Sequence, residues 1–213
     1  MSWRVDNLPR VLQPLLWLEG TCAAALLWLL WALLKATVRV RHVGRPPDDA
    51  AVSSIECAWH DCLLPYFLIR MPYPKAYVWM NHPAWFMKPI HVLLGWMGVD
   101  ELALGSSGHG GRAALAALIP SVQAGKPTFL NPDGPYGPAH QVKDGVLDLS
   151  IATGVRILAL RFEYSAALRL PTWDRKFIPL PFSRVDVVYT PIDAVRPDTR
   201  EASRAEIGRA LGA

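Results

Sequence analysis

Charge is scarce in this chain. Only 19% of its 213 residues are Asp, Glu, Lys or Arg, against 52% apolar residues and nine tryptophans. That balance is rich for a soluble protein and implies contact with lipid. No clustered Lys/Arg run marks a nucleic-acid arm, so the net charge of +4 points to anionic lipid head groups, and no nucleic-acid partner is expected. Cysteine is sparse: Cys22, Cys57 and Cys62 are odd in number and lack paired metal-ligand spacing, which indicates neither a disulfide framework nor a zinc site. A reduced, cytoplasmic-side domain with no metal follows. There is no internal repeat or low-complexity tract, and no Gly-x-Ser-x-Gly elbow, which argues against a soluble hydrolase. The small-residue cleavage pattern of a secretory signal is missing too.

What is present begins with a long apolar run. Residues 15–34 are apolar all round except at Glu19, about the length needed to cross a bilayer. The charge-free part from Gly20 is shorter than the roughly 20 residues of a full span, which leaves tilted, shallow and re-entrant geometries open. Lys35, Arg39, Arg41 and Arg45 follow it, and by the positive-inside tendency the main domain faces the cytoplasm. The chain thus divides into a membrane-anchor helix over residues 1–35 and a domain over residues 36–213.

In that domain apolar strand-like and helix-like runs alternate. Strands are expected over 37–43, 52–59, 78–80, 101–104, 128–130, 156–162 and 185–189, and helices over 62–69, 85–96, 113–123, 146–152 and 200–211. Residues 71–74 read as a turn. Alternation at this spacing defines an α/β class, a sheet flanked by helices. Three loops follow successive strands: Asn81-His82-Pro83, then residues 105–112 with Ser106, Ser107, Gly110, Gly111 and Arg112, then residues 131–138 with Asp133, Gly134 and Pro135. If those strands are neighbours, the loops share the carboxyl edge where open α/β sheets bind ligands.

A neutral histidine at that edge can take a proton from a hydroxyl as it attacks a carbonyl, and His82 is placed for it. The glycine-rich loop before a helix offers backbone N–H groups to an anion, with Arg112 adding a fixed charge. Lys143, leading into a helix, is a second candidate phosphate contact. His60 and Asp61 read as adjacent strand residues that point to opposite faces, with His60 the one placed to reach a pocket.

Asn81-His82-Pro83-Ala84-Trp85-Phe86 resembles the first motif of the lysophospholipid (glycerolipid) acyltransferase superfamily. Pro132-Asp133-Gly134-Pro135, Val142-Lys143-Asp144-Gly145 and Ala152-Thr153-Gly154 resemble its third-motif region. They are most similar to a small bacterial acyltransferase-like family, as are Trp59-His60, Gly105-Ser106-Ser107 and Thr172-Trp173-Asp174-Arg175. The resemblance covers residues 36–192. It implies a mixed-sheet acyltransferase fold at the bacterial inner membrane, cytoplasmic side. It also implies transfer of a fatty acyl group from acyl-CoA or acyl carrier protein to a lysophospholipid hydroxyl, with His82 as base and no metal or tightly held cofactor. Acceptor binding falls to Asn81, Ser106, Ser107, Gly110, Gly111, Arg112, Gly134, Pro135, Lys143 and His60.

One departure bears on chemistry. The superfamily's aspartate five residues after the histidine is Met87 here, and the small family's aspartate two residues after it is Ala84. A thioether cannot accept an imidazole proton or steady its charged form. Either another acid substitutes, Asp133 and Asp61 being nearest by loop position, or the chain is a catalytically silent lipid-binding or scaffold protein.

Overall fold

Nine strands and six helices are present among the residues that the computed structural model describes, 4–44, 54–72, 77–106 and 108–213. In chain order they are α1 (Gln13–Thr37), β1 (Arg39–Val43), β2 (Ile55–Cys57), α2 (Leu63–Arg70), β3 (Tyr77–Asn81), α3 (Lys88–Trp96), β4 (Val99–Leu104), α4 (Gly111–Gln123), β5 (Thr128–Leu130), α5 (Asp144–Thr153), β6 (Ile157–Tyr164), β7 (Ala167–Arg169), β8 (Phe177–Pro179), β9 (Arg184–Ile192) and α6 (Arg200–Leu211).

Seven of the strands form one sheet in the order β1-β9-β6-β2-β5-β3-β4, and β7 with β8 makes a separate hairpin. From β4 to β6 every pairing is parallel; β9 runs antiparallel to β6, and β1 parallel to β9. The sheet is therefore mixed, as the resemblance implies, and the class is α/β, as the alternation predicts. Its central strands are buried on both faces, and Ile55, Phe129 and Ile157 are fully or almost fully buried.

Helix α1 packs along the domain. Leu16, Gly20, Ala24 and Leu34 face inward, a stripe at helical spacing. A Cβ on Gly20 would stand 2.6 Å from the Lys88 side chain, so α1 and α3 approach closely there. Trp31 donates to the Phe67 carbonyl at 3.1 Å, and Lys35 to the Leu68 carbonyl, which ties the far end of the helix to α2. The opposite side, Leu15, Trp17, Leu18, Leu26, Leu29, Leu30 and Leu33, is exposed.

Differences from the sequence reading are local. The 85–96 run is a 3₁₀ turn at Trp85–Met87 followed by α3. Helix α4 starts at Gly111 rather than residue 113, because Gly110 turns through φ +73° just before it. His60 and Asp61 are not on a strand: β2 ends at Cys57, and both sit in a 3₁₀ turn ahead of α2. The β7–β8 hairpin is absent from the sequence reading. Residues 73 and 74 of the 71–74 turn fall outside the described residues, as do 52 and 53 at the start of the 52–59 strand.

Candidate active site

Strands β2, β3, β4 and β5 are neighbours and run the same way, so the loops at their carboxyl ends converge. Between them lies a cavity of about 550 Å³. His60, Asn81, His82, Ser106, Gly134, Pro135 and Lys143, all site residues expected from sequence, line it. Its other walls are mainly apolar, among them Trp79, Phe86, Met87, Ile90, Phe129 and Leu130. Gly110, Gly111 and Arg112 are not among its walls, and Ser107 falls outside the described residues.

His82 follows the last residue of β3. Its Nδ1 lies 2.9 Å from Ser106 Oγ and its Nε2 lies 3.0 Å from the Tyr136 hydroxyl. Both partners are hydroxyls, which donate or accept equally well, so neither fixes which ring nitrogen carries the proton. Burial, reinforced by the charges of His109 and Arg4, holds the imidazole below its ordinary pKa, and His82 is neutral at pH 7. The rings of His109 and Tyr136 stack beside it.

The glycine-rich loop has a packing role. A Cβ on Gly111 would stand 2.7 Å from the Ser106 carbonyl oxygen, and one on Gly105 would stand 2.7 Å from the Gly110 carbonyl oxygen. Only hydrogen at both positions lets the loop fold on itself and deliver Ser106, itself 3% exposed, to His82. Gly111→Ala is expected to lower stability by about 1–3 kcal/mol through that backbone contact. It should also pull Ser106 from His82, visible as a changed His82 ring signal in nitrogen-labelled NMR spectra. A wild-type melting curve and an unshifted ring signal would refute this packing role.

Asp133 does not hold His82. Its carboxylate accepts the backbone N–H of His60 at 3.0 Å and that of His140 at 3.3 Å. Burial raises its pKa to about 6 against the opposing pull of those two donors. It is a buried brace between the loops after β2 and β5, as is Asn131, which donates to the Ala58 carbonyl at 2.9 Å. Asp61 pairs with His140 Nε2 at 2.9 Å. Neither acid expected to orient His82 touches its ring.

A carboxylate does meet the other cavity histidine. His60 Nδ1 lies 2.6 Å from Asp174 Oδ2, and Asp174 sits in the loop between β7 and β8 with its side chain wholly buried. Thr172 donates to its other oxygen at 2.7 Å, and Lys176 pairs with Oδ2. Burial alone would raise the Asp174 pKa, but the donors Lys176, Thr172 and His60 outweigh it and bring it down to about 2. Burial and then the Lys176 charge depress the His60 pKa, against the pull of Asp174. Trp173 and Lys176, like His60, line the cavity, and the Trp173 ring stacks on the imidazole at 5.3 Å.

No protein-family model matches the chain. An uncharacterised protein of Rickettsia prowazekii is 27% identical over 101 residues, which is 47% of this chain and 46% of that protein. The chain thus matches about half the length of this curated relative. Among solved structures, the fold is that of an acyltransferase-like α/β domain. The crystal structure of the 1-acyl-sn-glycerophosphate (LPA) acyltransferase from Thermotoga maritima superposes with a TM-score of 0.54 at 17% identity, over 92% of this chain and 78% of that one.

Proposed function

We propose that this chain is a membrane-associated acyltransferase that moves a fatty acyl group from acyl-CoA or acyl carrier protein to the hydroxyl of a lysophospholipid. The observation that carries the reading is a neutral imidazole, His82, that presents Nε2 at the end of a parallel strand to a cavity with mainly apolar walls. On this reading Nε2 takes the hydroxyl proton as the oxygen bonds to the thioester carbon; the C–S bond then breaks and the sulfur leaves with that proton. General-base help of this kind contributes about 10²–10⁴ in rate. The reaction needs no metal or bound cofactor. Asn81, Ser106, Gly134, Pro135, Lys143 and His60 are the cavity residues proposed to contact the acceptor. The superposed Thermotoga fold supports the reading by analogy.

Helix α1 packs against α3. Exposed apolar residues stand on the outer side of α1 and, as Trp85, Phe86 and Trp96, on the neighbouring turn and α3, and Phe86 also lines the cavity. Exposed apolar side chains on neighbouring elements mark a membrane contact, and we place them against the inner membrane with the domain on the cytoplasmic side. The helix is long and apolar enough to cross a bilayer by length and composition. Purified chain is expected to co-sediment with phospholipid vesicles. Phe86→Asp with Trp96→Asp should weaken binding at least tenfold, since each buried aromatic contributes about 1.5–3 kcal/mol. Protein left in the supernatant would sink this part.

The deciding assay follows radiolabelled acyl groups from acyl-CoA and from acyl carrier protein to a lysophospholipid. Labelled diacyl product is expected, and its absence with both donors overturns the assignment. A second reading, a catalytically silent lipid-binding or scaffold protein, is favoured by one observation: among the described residues, neither ring nitrogen of His82 meets a carboxylate. Lysolipid binding without transfer would select it.

A further inference from the structure

We propose that His60 and Asp174 form a second general-base dyad on this cavity, and that this dyad, rather than His82 alone, sustains acyl transfer. The proposal rests on the acyltransferase reading above and assigns it a further catalytic residue, His60, and a positioning residue, Asp174.

The hydrogen bonds around the two histidines differ in kind. His60 Nδ1 is within reach of Asp174 Oδ2 at 2.6 Å and Lys176 Nζ at 2.9 Å. A carboxylate only accepts and an ammonium only donates, so one ring nitrogen cannot satisfy both. The carboxylate is nearer, and Lys176 satisfies itself on Asp174. Nδ1 therefore carries the proton and donates it to Asp174, which fixes the tautomer. Nε2 is then a bare lone pair, and it has no hydrogen-bond partner among the described residues. The side chain is 17% exposed and lines the cavity. Trp173 stacks on one ring face, and Asp133 holds the backbone N–H of the same residue. The ring is held at Nδ1 and on one face, and its backbone by Asp133, with the basic nitrogen left open.

His82 has the complementary deficiency: two hydroxyl partners, no fixed tautomer and, among the described residues, no carboxylate on either ring nitrogen to steady an imidazolium. A buried carboxylate behind a catalytic histidine sets the tautomer and stabilises the cation that forms, an effect of about 10⁴ in rate in serine proteases. At His60 the chemistry balances without another reagent. Nε2 takes the proton of the attacking hydroxyl as its oxygen bonds to the thioester carbon. Asp174 stays ionised beside the imidazolium. When the C–S bond breaks, the departing sulfur takes the proton from Nε2, and ester and thiol leave a neutral ring. The charged groups that face His60 are Asp174 and Lys176 on the β7–β8 loop, Asp61 on its own turn and Asp133 on the loop after β5.

The test is steady-state acyl transfer from labelled acyl-CoA to a lysophospholipid in detergent micelles, with the full chain and its variants. His82→Ala should leave a residual rate, and in that background His60→Gln is expected to lower kcat about a further 100-fold or more with KM within about threefold, as for loss of a general base. Asp174→Asn in the same background should lower kcat comparably and shift the acid limb of the pH profile, and Asp174→Glu should recover part of the loss. No residual transfer in His82→Ala, or a residual rate and pH profile that neither His60→Gln nor Asp174→Asn moves, would overturn the dyad. If the wild-type chain transfers no acyl group at all, the acyltransferase reading fails. The dyad is then judged by nitrogen-labelled histidine NMR: at pH 7 His60 should appear as a neutral ring protonated on Nδ1, and that signature should vanish in Asp174→Asn. A ring protonated on Nε2 overturns it.

Discussion

His82→Ala is expected to lower the turnover of acyl transfer by about 10²–10⁴, the range for loss of a positioned general base. The loss should fall mainly on kcat, because a group that acts on the proton in flight contributes little to ground-state binding. Burial, His109 and Arg4 hold the His82 pKa below its ordinary value. A base must be neutral to act, so the wild-type rate should rise with pH through that lowered pKa and be level at pH 7. A variant as fast as wild type, or a rate still climbing well above pH 7, would remove His82 from the mechanism.

The largest stability effect is expected away from the cavity. Glu56, in the middle of β2, is 2% exposed and accepts hydrogen bonds from Tyr66 at 2.7 Å and from Arg70 at 3.1 Å, with Tyr77 at 3.4 Å. Arg70→Ala leaves that carboxylate buried without its counter-charge. Breaking a buried pair in this way destabilises by about 3–5 kcal/mol, a large share of a typical domain's stability. The loss should depend on pH with a defined sign. Burial, the largest influence on Glu56, raises its pKa above the ordinary 4.5 against the opposing charge of Arg70. Removing Arg70 raises it further. Between the unfolded and folded values the native state holds a proton that the unfolded chain has released, so stability falls as pH rises through that window. Denaturant unfolding should therefore show a larger deficit for Arg70→Ala at pH 7 than at pH 5. A deficit under 1 kcal/mol, or one equal at both values, would show that the pair matters less than its burial implies.

The parallel layout was legible because parallel strands covered on both faces leave apolar runs that need no long-range information. Residues 78–80 and 128–130 announce β3 and β5 in this way, 101–104 marks the half-exposed edge strand β4, and the convergence of their loops follows. Of the cavity residues that end such strands, His82 is legible from its position together with the motif around it, and Asn81 from the motif resemblance. The start of α4 was missed by two residues because glycine is a poor helix former; Gly111 was read as loop although only its missing side chain fits against Ser106. The β7–β8 hairpin was missed because three-residue strands show no measurable alternation, and Asp174 was lost from the site with it. Its contact with His60 spans 114 positions, and no local pattern records such a pairing. Asp133 and Asp61 are nearest to His82 by loop position, but their oxygens are committed to His60, His140 and Cys62.

Tyr136 adds a consequence of its own. Its hydroxyl, on a side chain that is largely in solvent, already occupies His82 Nε2 at 3.0 Å. A hydroxyl that arrives from a ligand trades places with one that is there, and such an exchange of like hydrogen bonds is nearly neutral in free energy. The polar end of an acceptor therefore contributes alignment and little adhesion at this nitrogen. For the lysophospholipid acceptor proposed above, net affinity would then come from the hydrocarbon part against Trp79, Phe86 and Phe129, and recognition would scale with chain before it scales with head group.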